Sequence, residues 1–300
     1  MATGDKFPVL MASQLGQPNG PASLNGNSVL PILQGGTLSN NPQQALANLG
    51  AGARTNELDN AYFVGGGTGW GVFPINQRSV SGTISSPGYF IDRWKLVSGT
   101  VQITPQGLVL NGVIQQIIPA SIGSVYSAVA LTNTGLVDCQ YDDSSRTFSI
   151  TGTGQTFIYA KLEKGLFQTA AYQIDGSWIM LIQTDISYAN QLLKCQQYEL
   201  VLGSGQNQFS IGTGVINSDG TSADIIIPIP ISMRTVPVGD MKGTIYIYDG
   251  SEYFKPESFE LMIFGVSSIT MRFKGFSGGT PGKSVIAFGD VSSQFSLSCP

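Results

Sequence analysis

The residue types available limit the chemistry that this chain can perform. It contains no histidine, which removes Ser-His-Asp and Cys-His catalysis and the most common general base. Hydrolysis by two carboxylates stays open, because it needs only Asp or Glu side chains about 5 to 9.5 Å apart across a cleft. No pattern singles out such a pair among the 19 acidic residues. The adjacent Asp142 and Asp143 lie in a predicted turn, where solvation or a calcium ion explains them. We predict no catalytic residue and expect a protein that is not an enzyme.

Two other patterns that often carry chemistry are incomplete. Cys139, Cys195 and Cys299 are far apart and lack a CxxC spacing, so we predict buried thiols rather than a disulfide framework or a zinc site. The glycine-rich run 65–71 lacks the Gly-Lys-Ser/Thr ending of a phosphate-binding loop, and no helical pattern follows it. We interpret it as a flexible loop that carries Trp70. No metal and no cofactor is predicted.

The segment 73–96 concentrates polar, planar side chains in a chain of which only 11% of residues are charged. The pattern predicts two strands joined by a long loop rich in Gly, Ser and Pro, with Arg78 near one end and Arg93 near the other. Asp92 is placed to pair with either arginine, and Trp94 is expected to cover the core. The alternative is that these residues fix one corner of a β-sandwich and contact no ligand.

Aromatic residues around this segment indicate a saccharide site. Such sites on β-sandwiches set an aromatic ring against the apolar face of a sugar and add a few planar hydrogen-bonding groups. Trp70 and Tyr89 are the first candidates for contact, whereas Trp94 stands between apolar strand residues and is expected in the core. The predicted glycan-binding residues are Trp70, Tyr89, Asn76, Gln77, Arg78 and Asp92.

Length and composition predict an all-β chain with two domains. At 300 residues the chain is too long for one compact core. A charged fraction of 11% together with 38 glycines fits closely spaced strands and polar turns rather than long solvent-facing helices. The net charge is -4, and the lysines and arginines are scattered along the chain. No basic surface for binding nucleic acid is therefore predicted.

The first part of the chain differs in composition from the rest. Residues 1–55 carry only Asp5, Lys6 and Arg54 as charges and have no lasting apolar period. We expect an extended segment that serves attachment and oligomerisation. A capped helical pattern at 41–50 is only two turns long and too short to be stable alone. A disordered leader is the alternative interpretation.

Two β-domains are predicted after this segment. Residues 56–184 contain seven or eight strand-like runs separated by turn residues, which is typical of a β-sandwich or a jelly roll. The runs at 147–151 and 156–162 are predicted as separate strands because glycines interrupt them. Strand-like runs also fill residues 203–300, which are predicted to form a C-terminal β-sandwich.

A short helix is predicted to link the two domains at residues 185–202. Apolar residues recur there at helical spacing, with Asp185 placed as N-cap and Gly203 as the stop signal. Cys195 and Tyr198 are expected in the core rather than in a site of chemistry.

The isoleucine-rich run 225–231 contains Pro228 and Pro230, which predicts an edge strand or a strand that leaves its sheet. An open apolar edge would aggregate, so we expect a neighbouring chain to cover it. At seven residues the run is far shorter than the roughly 20 needed to cross a bilayer. The first residues do not resemble a secretory signal. We therefore expect no membrane insertion and assembly in the cytoplasm.

Several short runs, taken in order, resemble the jelly-roll domain of tail-fibre and receptor-binding proteins of bacterial viruses, which is related in appearance to carbohydrate-binding modules. The runs are LDNAYF at 58–63, INQR at 75–78, DRW at 92–94, FIYAKLEKG at 157–165 and LLKCQQY at 192–198. They span most of the chain after residue 57. No single run is specific, and the resemblance is carried by their order.

The resemblance implies a homotrimeric virion appendage subunit that adheres to host cell-surface glycan. In such a subunit, residues 1–55 attach to other virion proteins. The jelly roll binds a ligand or serves as a spacer, and the C-terminal sandwich forms the tip. Two alternatives remain at this point: a purely structural head or tail decoration protein, and a tail-associated enzyme that degrades glycan.

Overall fold

The computed structural model describes residues 54–64, 74–165, 168–174, 176–181, 187–203, 208–291 and 293–299. Within these ranges the chain is all-β, with several sheets and one short helix, as the sequence predicted. The strands β1 to β10 form an N-terminal β-unit and the strands β11 to β20 form a C-terminal β-unit. The predicted attachment segment and the glycine-rich run 65–71 lie outside the described residues, except for Arg54 and Thr55.

The strands of the N-terminal β-unit are β1 (Thr83–Ile84), β2 (Gly88–Ile91), β3 (Trp94–Thr104), β4 (Gly107–Ile117), β5 (Tyr126–Thr132), β6 (Gly135–Asp138), β7 (Gln140–Asp142), β8 (Thr147–Lys164), β9 (Ala171–Ile174) and β10 (Ser177–Met180). Those of the C-terminal β-unit are β11 (Glu199–Leu202), β12 (Phe209–Ile216), β13 (Ser222–Pro228), β14 (Val238–Lys242), β15 (Ile245–Tyr248), β16 (Tyr253–Phe254), β17 (Ser258–Phe264), β18 (Ser268–Lys274), β19 (Ser284–Gly289) and β20 (Gln294–Ser298).

One long strand organises the N-terminal β-unit. β8 pairs with β4 along its first part and with β5 along its second, so the eight-stranded antiparallel sheet runs β1-β3-β4-β8-β5-β6, with β2 on β3 and β7 on β8. The sheet curls into a half-barrel. The prediction of separate strands at 147–151 and 156–162 is wrong. Gly152 is not a turn residue: a Cβ there would lie 2.6 Å from the carbonyl oxygen of Leu110 on β4, so the close approach of two strands requires glycine.

Trp94 lies at the centre of the N-terminal core, as predicted. Its side chain is fully buried and meets the rings of Phe63 and Phe148 edge-on at 5.2 and 6.1 Å. Its indole nitrogen donates to the carbonyl of Asn60 at 2.9 Å. The Asn60 amide in turn bonds both backbone groups of Ile75, at 2.7 and 2.8 Å. Side-chain amides thus replace a sheet ladder where the chain is irregular.

The N-terminal β-unit begins slightly earlier than predicted. Arg54 was assigned to the attachment segment, but its backbone N–H donates to Thr169 and its guanidinium donates to the carbonyl of Lys164, both at 3.0 Å. Asn56 is buried and donates to the carbonyl of Ala160 at 2.8 Å. These contacts join the first described residues to the sheet.

The linking helix α1 (Tyr188–Gln196) is shorter than predicted. Its N-cap is Ser187, whose hydroxyl accepts from the N–H of Asn190 at 3.1 Å; Asp185, the predicted cap, lies outside the described residues. The helix ends before Gly203, because residues 199–202 form β11 and pair with β20. Branched side chains at 199–202 and the pairing with β20 favour a strand there, although apolar residues recur at helical spacing. Among the described residues, no helix is long and apolar enough to cross a membrane.

Two sheets enclose the C-terminal core. One has the order β11-β20-β14 and the other β16-β15-β19-β12-β13-β18-β17. Phe295 of the smaller sheet packs against Phe259 and Phe273 of the larger, with ring centres 5.6 and 6.4 Å apart. Of the two alternatives predicted for the isoleucine-rich run, an edge strand is wrong, and departure from the sheet holds only for its last residues. β13 is paired on both sides, with β12 and β18, and leaves its sheet only after Pro228.

Candidate functional site

A pocket with a volume of about 260 Å³ opens where the two β-units meet. We call it the junction pocket. The N-terminal side is formed by Arg78, Tyr89, Arg93, residues 117–119 and Arg146. The other side is formed by residues 198–199, 234–235 and 298–299. The walls therefore come from loops, strand ends and the β2–β3 and β7–β8 turns, which the sheets of the two β-units hold in place.

Most of the arginines of the chain line this pocket. The chain has six arginines, and four of them, Arg78, Arg93, Arg146 and Arg234, belong to the lining. Among the described lining residues Glu199 is the only carboxylate. The net charge of the whole chain is -4, so general basicity does not explain the cluster. A concave site with this excess of guanidinium groups attracts anions.

Arg78 joins the two β-units. Its Nε donates to the carboxylate of Glu199, the first residue of β11, and the two form an ion pair. Its Nη1 donates to the carbonyl of Tyr89 at 3.2 Å, and its guanidinium carbon lies 5.6 Å from the centre of the Tyr89 ring. The Tyr89 side chain is 46% exposed. Part of its ring is therefore accessible from the pocket.

Arg93 is buried and holds a wall of the pocket. Its Nε lies 3.2 Å from a carboxylate oxygen of Asp59, and its Nη2 donates to the carbonyl of Ile117 at 2.6 Å. The guanidinium carbon lies 3.3 Å from the centre of the Tyr198 ring. This stacking fixes the ring of Tyr198, which was expected in the core but is half-buried and lines the pocket.

Arg146 and Arg234 are held by neutral groups. Arg146 donates to the carbonyl of Pro119 at 2.8 Å. Arg234 donates to the hydroxyl of Tyr198 at 2.7 Å, with its guanidinium carbon 5.2 Å from that ring. Neither forms an ion pair with a described carboxylate. Both are exposed. Their charge is available to a ligand.

Two of the pocket arginines have an unusual backbone. Arg93 has φ 73° and Arg146 has φ 56°, in the left-handed region that favours glycine or asparagine. An L-residue with a long side chain costs about 1 to 2 kcal/mol in this conformation. Both positions with this unfavourable backbone carry an arginine that lines the same pocket.

Burial changes the acidity of two carboxylates near the pocket. Burial raises the pKa of Glu199 to about 7, and the ion pair with Arg78 offsets this only in part. Burial also raises the pKa of Asp92 to about 6, against the opposing effect of hydrogen bonds from Gln77. Glu199 therefore changes charge near neutral pH while facing the pocket.

Three of the predicted glycan contacts do not belong to the lining of the junction pocket and bond groups of the protein itself. The amide of Asn76 bonds the N–H and carbonyl of Val80, at 3.1 and 2.7 Å, and closes its own loop. Gln77 donates to Asp92 at 2.6 Å and to the carbonyl of Glu199 at 2.9 Å. Asp92 is 1% exposed and has no access to a ligand in the pocket. The predicted ion pair of Asp92 with Arg78 or Arg93 is wrong, because Arg78 pairs with Glu199 and Arg93 pairs with Asp59.

Of the other predicted contacts, Tyr89 and Arg78 line the junction pocket, and Trp70 lies outside the described residues. Sequence reasoning missed Tyr198, Glu199 and the two exposed arginines, because they are far apart in the chain. The rarity of arginine was the signal that could have drawn attention to Arg146 and Arg234.

A second exposed aromatic cluster lies on the C-terminal β-unit. Tyr248 and Tyr253 stack with ring centres 4.5 Å apart, and Tyr246 stacks on Phe288 at 5.8 Å. Tyr253 is 64% exposed. No arginine accompanies these rings in the described contacts, in contrast with the junction pocket.

The acidic turn predicted at 142–146 is present between β7 and β8. Its carboxylates accept from protein groups: Asp142 from Ser144 and Ser145, at 2.6 and 2.7 Å, and Asp143 from Ser121 at 2.5 Å. In the described part of the chain, no group of three potential metal ligands is found. The three cysteines are free thiols, with Cys195 buried as predicted and the other two partly buried.

Comparisons of the chain with protein-family models, curated proteins and solved structures give no match. The interpretation of the junction pocket therefore depends on its own geometry and charge.

Proposed function

We propose that this chain is a non-enzymatic subunit of a bacteriophage appendage, a tail fibre or receptor-binding protein, and that it adheres to host cell-surface saccharide through the junction pocket. The observation that carries the proposal is the pocket itself, where four arginines and two tyrosines meet between the two β-units. Rings and planar guanidinium forks are the groups that saccharide sites combine.

The size of the pocket fits a short saccharide. Its volume of about 260 Å³ is at the lower end of the range of roughly 300 to 1,000 Å³ for small-ligand sites. A site of this kind binds weakly on its own. In a homotrimeric appendage anchored to other virion proteins through residues 1–55, several copies would act together and supply avidity.

The charges of the pocket favour binding over hydrolysis. Glycoside hydrolysis needs two carboxylates facing one cleft, whereas Glu199 is the only one among the described lining residues. Glu199 is also engaged by Arg78. A purely structural decoration protein, in turn, has no use for exposed arginines directed into a pocket.

A saccharide array with the purified full-length chain tests this function. We expect binding to a subset of glycans, abolished or strongly weakened in Tyr89→Ala and retained in Tyr253→Ala, which removes an exposed ring outside the pocket. Truncating a contact ring costs about 1 to 3 kcal/mol of binding. Release of shorter sugars from a bound glycan would identify the enzyme instead. Absence of binding to every glycan and to cells would favour the decoration protein.

A further inference from the structure

The four arginines of the junction pocket fall into two pairs with different surroundings. Arg78 and Arg93 form ion pairs, with Glu199 and Asp59 respectively. Arg146 and Arg234 bond only neutral oxygens, the carbonyl of Pro119 and the hydroxyl of Tyr198, in the contacts that the structure describes. The pocket therefore contains two guanidinium groups whose charge is balanced by no described ion pair.

The acids closest to Arg146 in the chain do not neutralise it. Asp142 and Asp143 precede it in the β7–β8 turn, yet their oxygens are engaged by serine hydroxyls, by Tyr141 and by backbone N–H groups. These hydrogen bonds hold the pKa of both carboxyls below the ordinary value. Both carboxylates therefore stay ionised near neutral pH, but their hydrogen bonds direct them to other groups, and neither forms an ion pair with Arg146 in the described contacts.

The backbone conformation of Arg146 also indicates a role for its side chain. Its φ of 56° is one that glycine or asparagine adopts more easily. A turn that only had to reverse the chain would be served better by those residues. The arginine side chain at this position therefore has a use that compensates for the backbone conformation.

We propose that the junction pocket selects saccharides bearing an anionic group, and that Arg146 and Arg234 bind this group. This inference rests on the proposed function and names its ligand class. The anion is a carboxylate, a sulfate ester or a phosphate ester. All three present coplanar or clustered oxygens that match the fork of guanidinium donors. Tyr89 remains available for the sugar ring.

Four small sugars that share a glucose ring provide a matched test by calorimetric titration of the full chain. Methyl β-glucuronide, glucose 6-sulfate and glucose 6-phosphate carry an anion, and methyl β-glucoside is the neutral reference. We expect the charged sugars to bind and the reference to bind at least about tenfold more weakly, which is the effect of losing a charge-assisted hydrogen bond. The ranking among the three charged sugars identifies which anion the pocket prefers.

Three variants locate the anion. Arg146→Asn removes the charge and keeps a residue that tolerates the left-handed backbone, and Arg234→Gln removes the second charge. Each should weaken the charged sugars by about tenfold or more and leave the reference unchanged. Lys255→Gln is the control, because it removes one exposed positive charge outside the junction pocket. A melting temperature like that of the parent chain shows that each variant is folded.

The outcomes separate the inference from the proposed function. If neutral and charged sugars bind equally, or if the array retains only neutral glycans, the inference is overturned and saccharide adhesion stands. If charged sugars bind but neither arginine variant weakens them, the anion is held elsewhere and the inference is also overturned. If none of the four sugars binds and no glycan on the array is bound, both proposals fail. The four sugars can fail to bind measurably while the array still gives a response. If that response is limited to acidic glycans and is lost in Arg146→Asn, it supports the inference.

Discussion

At the scale of single residues, burial separates side chains that hold the fold from those that meet solvent. Trp94 and Tyr89 lie five residues apart on neighbouring strands, β3 and β2. The first has no exposed surface, and the second is 46% exposed. The same separation divides the arginines, since Arg93 is buried and Arg146 is exposed. A substitution at each position should therefore report on a different property.

Trp94→Ala should lower the free energy of unfolding by about 3 to 5 kcal/mol, because it leaves a cavity among packed rings. Tyr89→Ala leaves no such cavity and should change it by less than about 1 kcal/mol. Urea denaturation of the two variants and the parent chain measures both. Equal losses would mean that Tyr89 belongs to the core and is no candidate for ligand contact.

Local sequence patterns could identify only part of the site. Tyr89 and Arg78 stand in one segment with planar polar neighbours, so their role was within reach. Tyr198, Glu199 and Arg234 come to the pocket only because α1, β11 and the β13–β14 loop are folded against the N-terminal β-unit. Their positions depend on tertiary pairing, which a single sequence does not encode in any local spacing.

At the scale of elements, the start of β11 is the main connection between the two β-units. Glu199 pairs with Ser298 in the C-terminal sheet, while its carbonyl accepts from Gln77 and its carboxylate pairs with Arg78. The ordinary pKa of a glutamate is about 4.3, and burial at this connection raises it to about 7. The folded chain therefore binds more protons than the unfolded chain between these pH values, and its stability falls as pH rises through that window.

Affinity for an anionic sugar should consequently rise as pH falls from 8 to 5.5, because protonation of Glu199 removes the negative charge that faces the pocket. Arg78 and Asp92 face Glu199 from the N-terminal β-unit, and the thiol of Cys195 lies nearby on α1. Titration of methyl β-glucuronide at the two pH values measures the effect. Glu199→Gln should flatten the dependence; a slope that persists in this variant would assign it to Asp92, whose pKa is about 6.

The class of the elements was predictable, and their arrangement was less so. Low charge and frequent turn residues indicated strands correctly. Glycine was one source of error, since Gly152 lies inside a strand where the carbonyl oxygen of a partner strand approaches to 2.6 Å of a built Cβ. Proline was the other source, because Pro228 marks the end of β13 but leaves it a central strand.

At the scale of the whole molecule, the larger C-terminal sheet leaves an apolar row on its outer face. The strand register aligns Tyr253, Tyr248, Ile286, Ile226 and Ile263 across it, with threonines between. Ile226 is 53% exposed, and Ile263 is 63% exposed. Because β13 is not an edge strand, we expect any contact between chains at this apolar face instead, since contiguous exposed apolar surface favours contact with another protein.

The homotrimer stays a prediction, and light scattering of the full-length chain at micromolar concentration should give about three chains per particle. Ile226→Asp places a charge in the middle of the apolar row and should lower the average number of chains per particle. Val125→Asp makes the same change at an exposed apolar residue of the N-terminal β-unit and should leave three. A parent chain that is monomeric would remove avidity from the proposed function.

We propose above that ligand binds at the junction between the two β-units. A crystal structure of the full chain with methyl β-glucuronide at saturating concentration tests it most directly. We expect the sugar in the junction pocket, its ring beside Tyr89 and its carboxylate within hydrogen-bond distance of Arg146 and Arg234. A sugar bound to the exposed tyrosines of the C-terminal β-unit, or no sugar in the pocket, would contradict it.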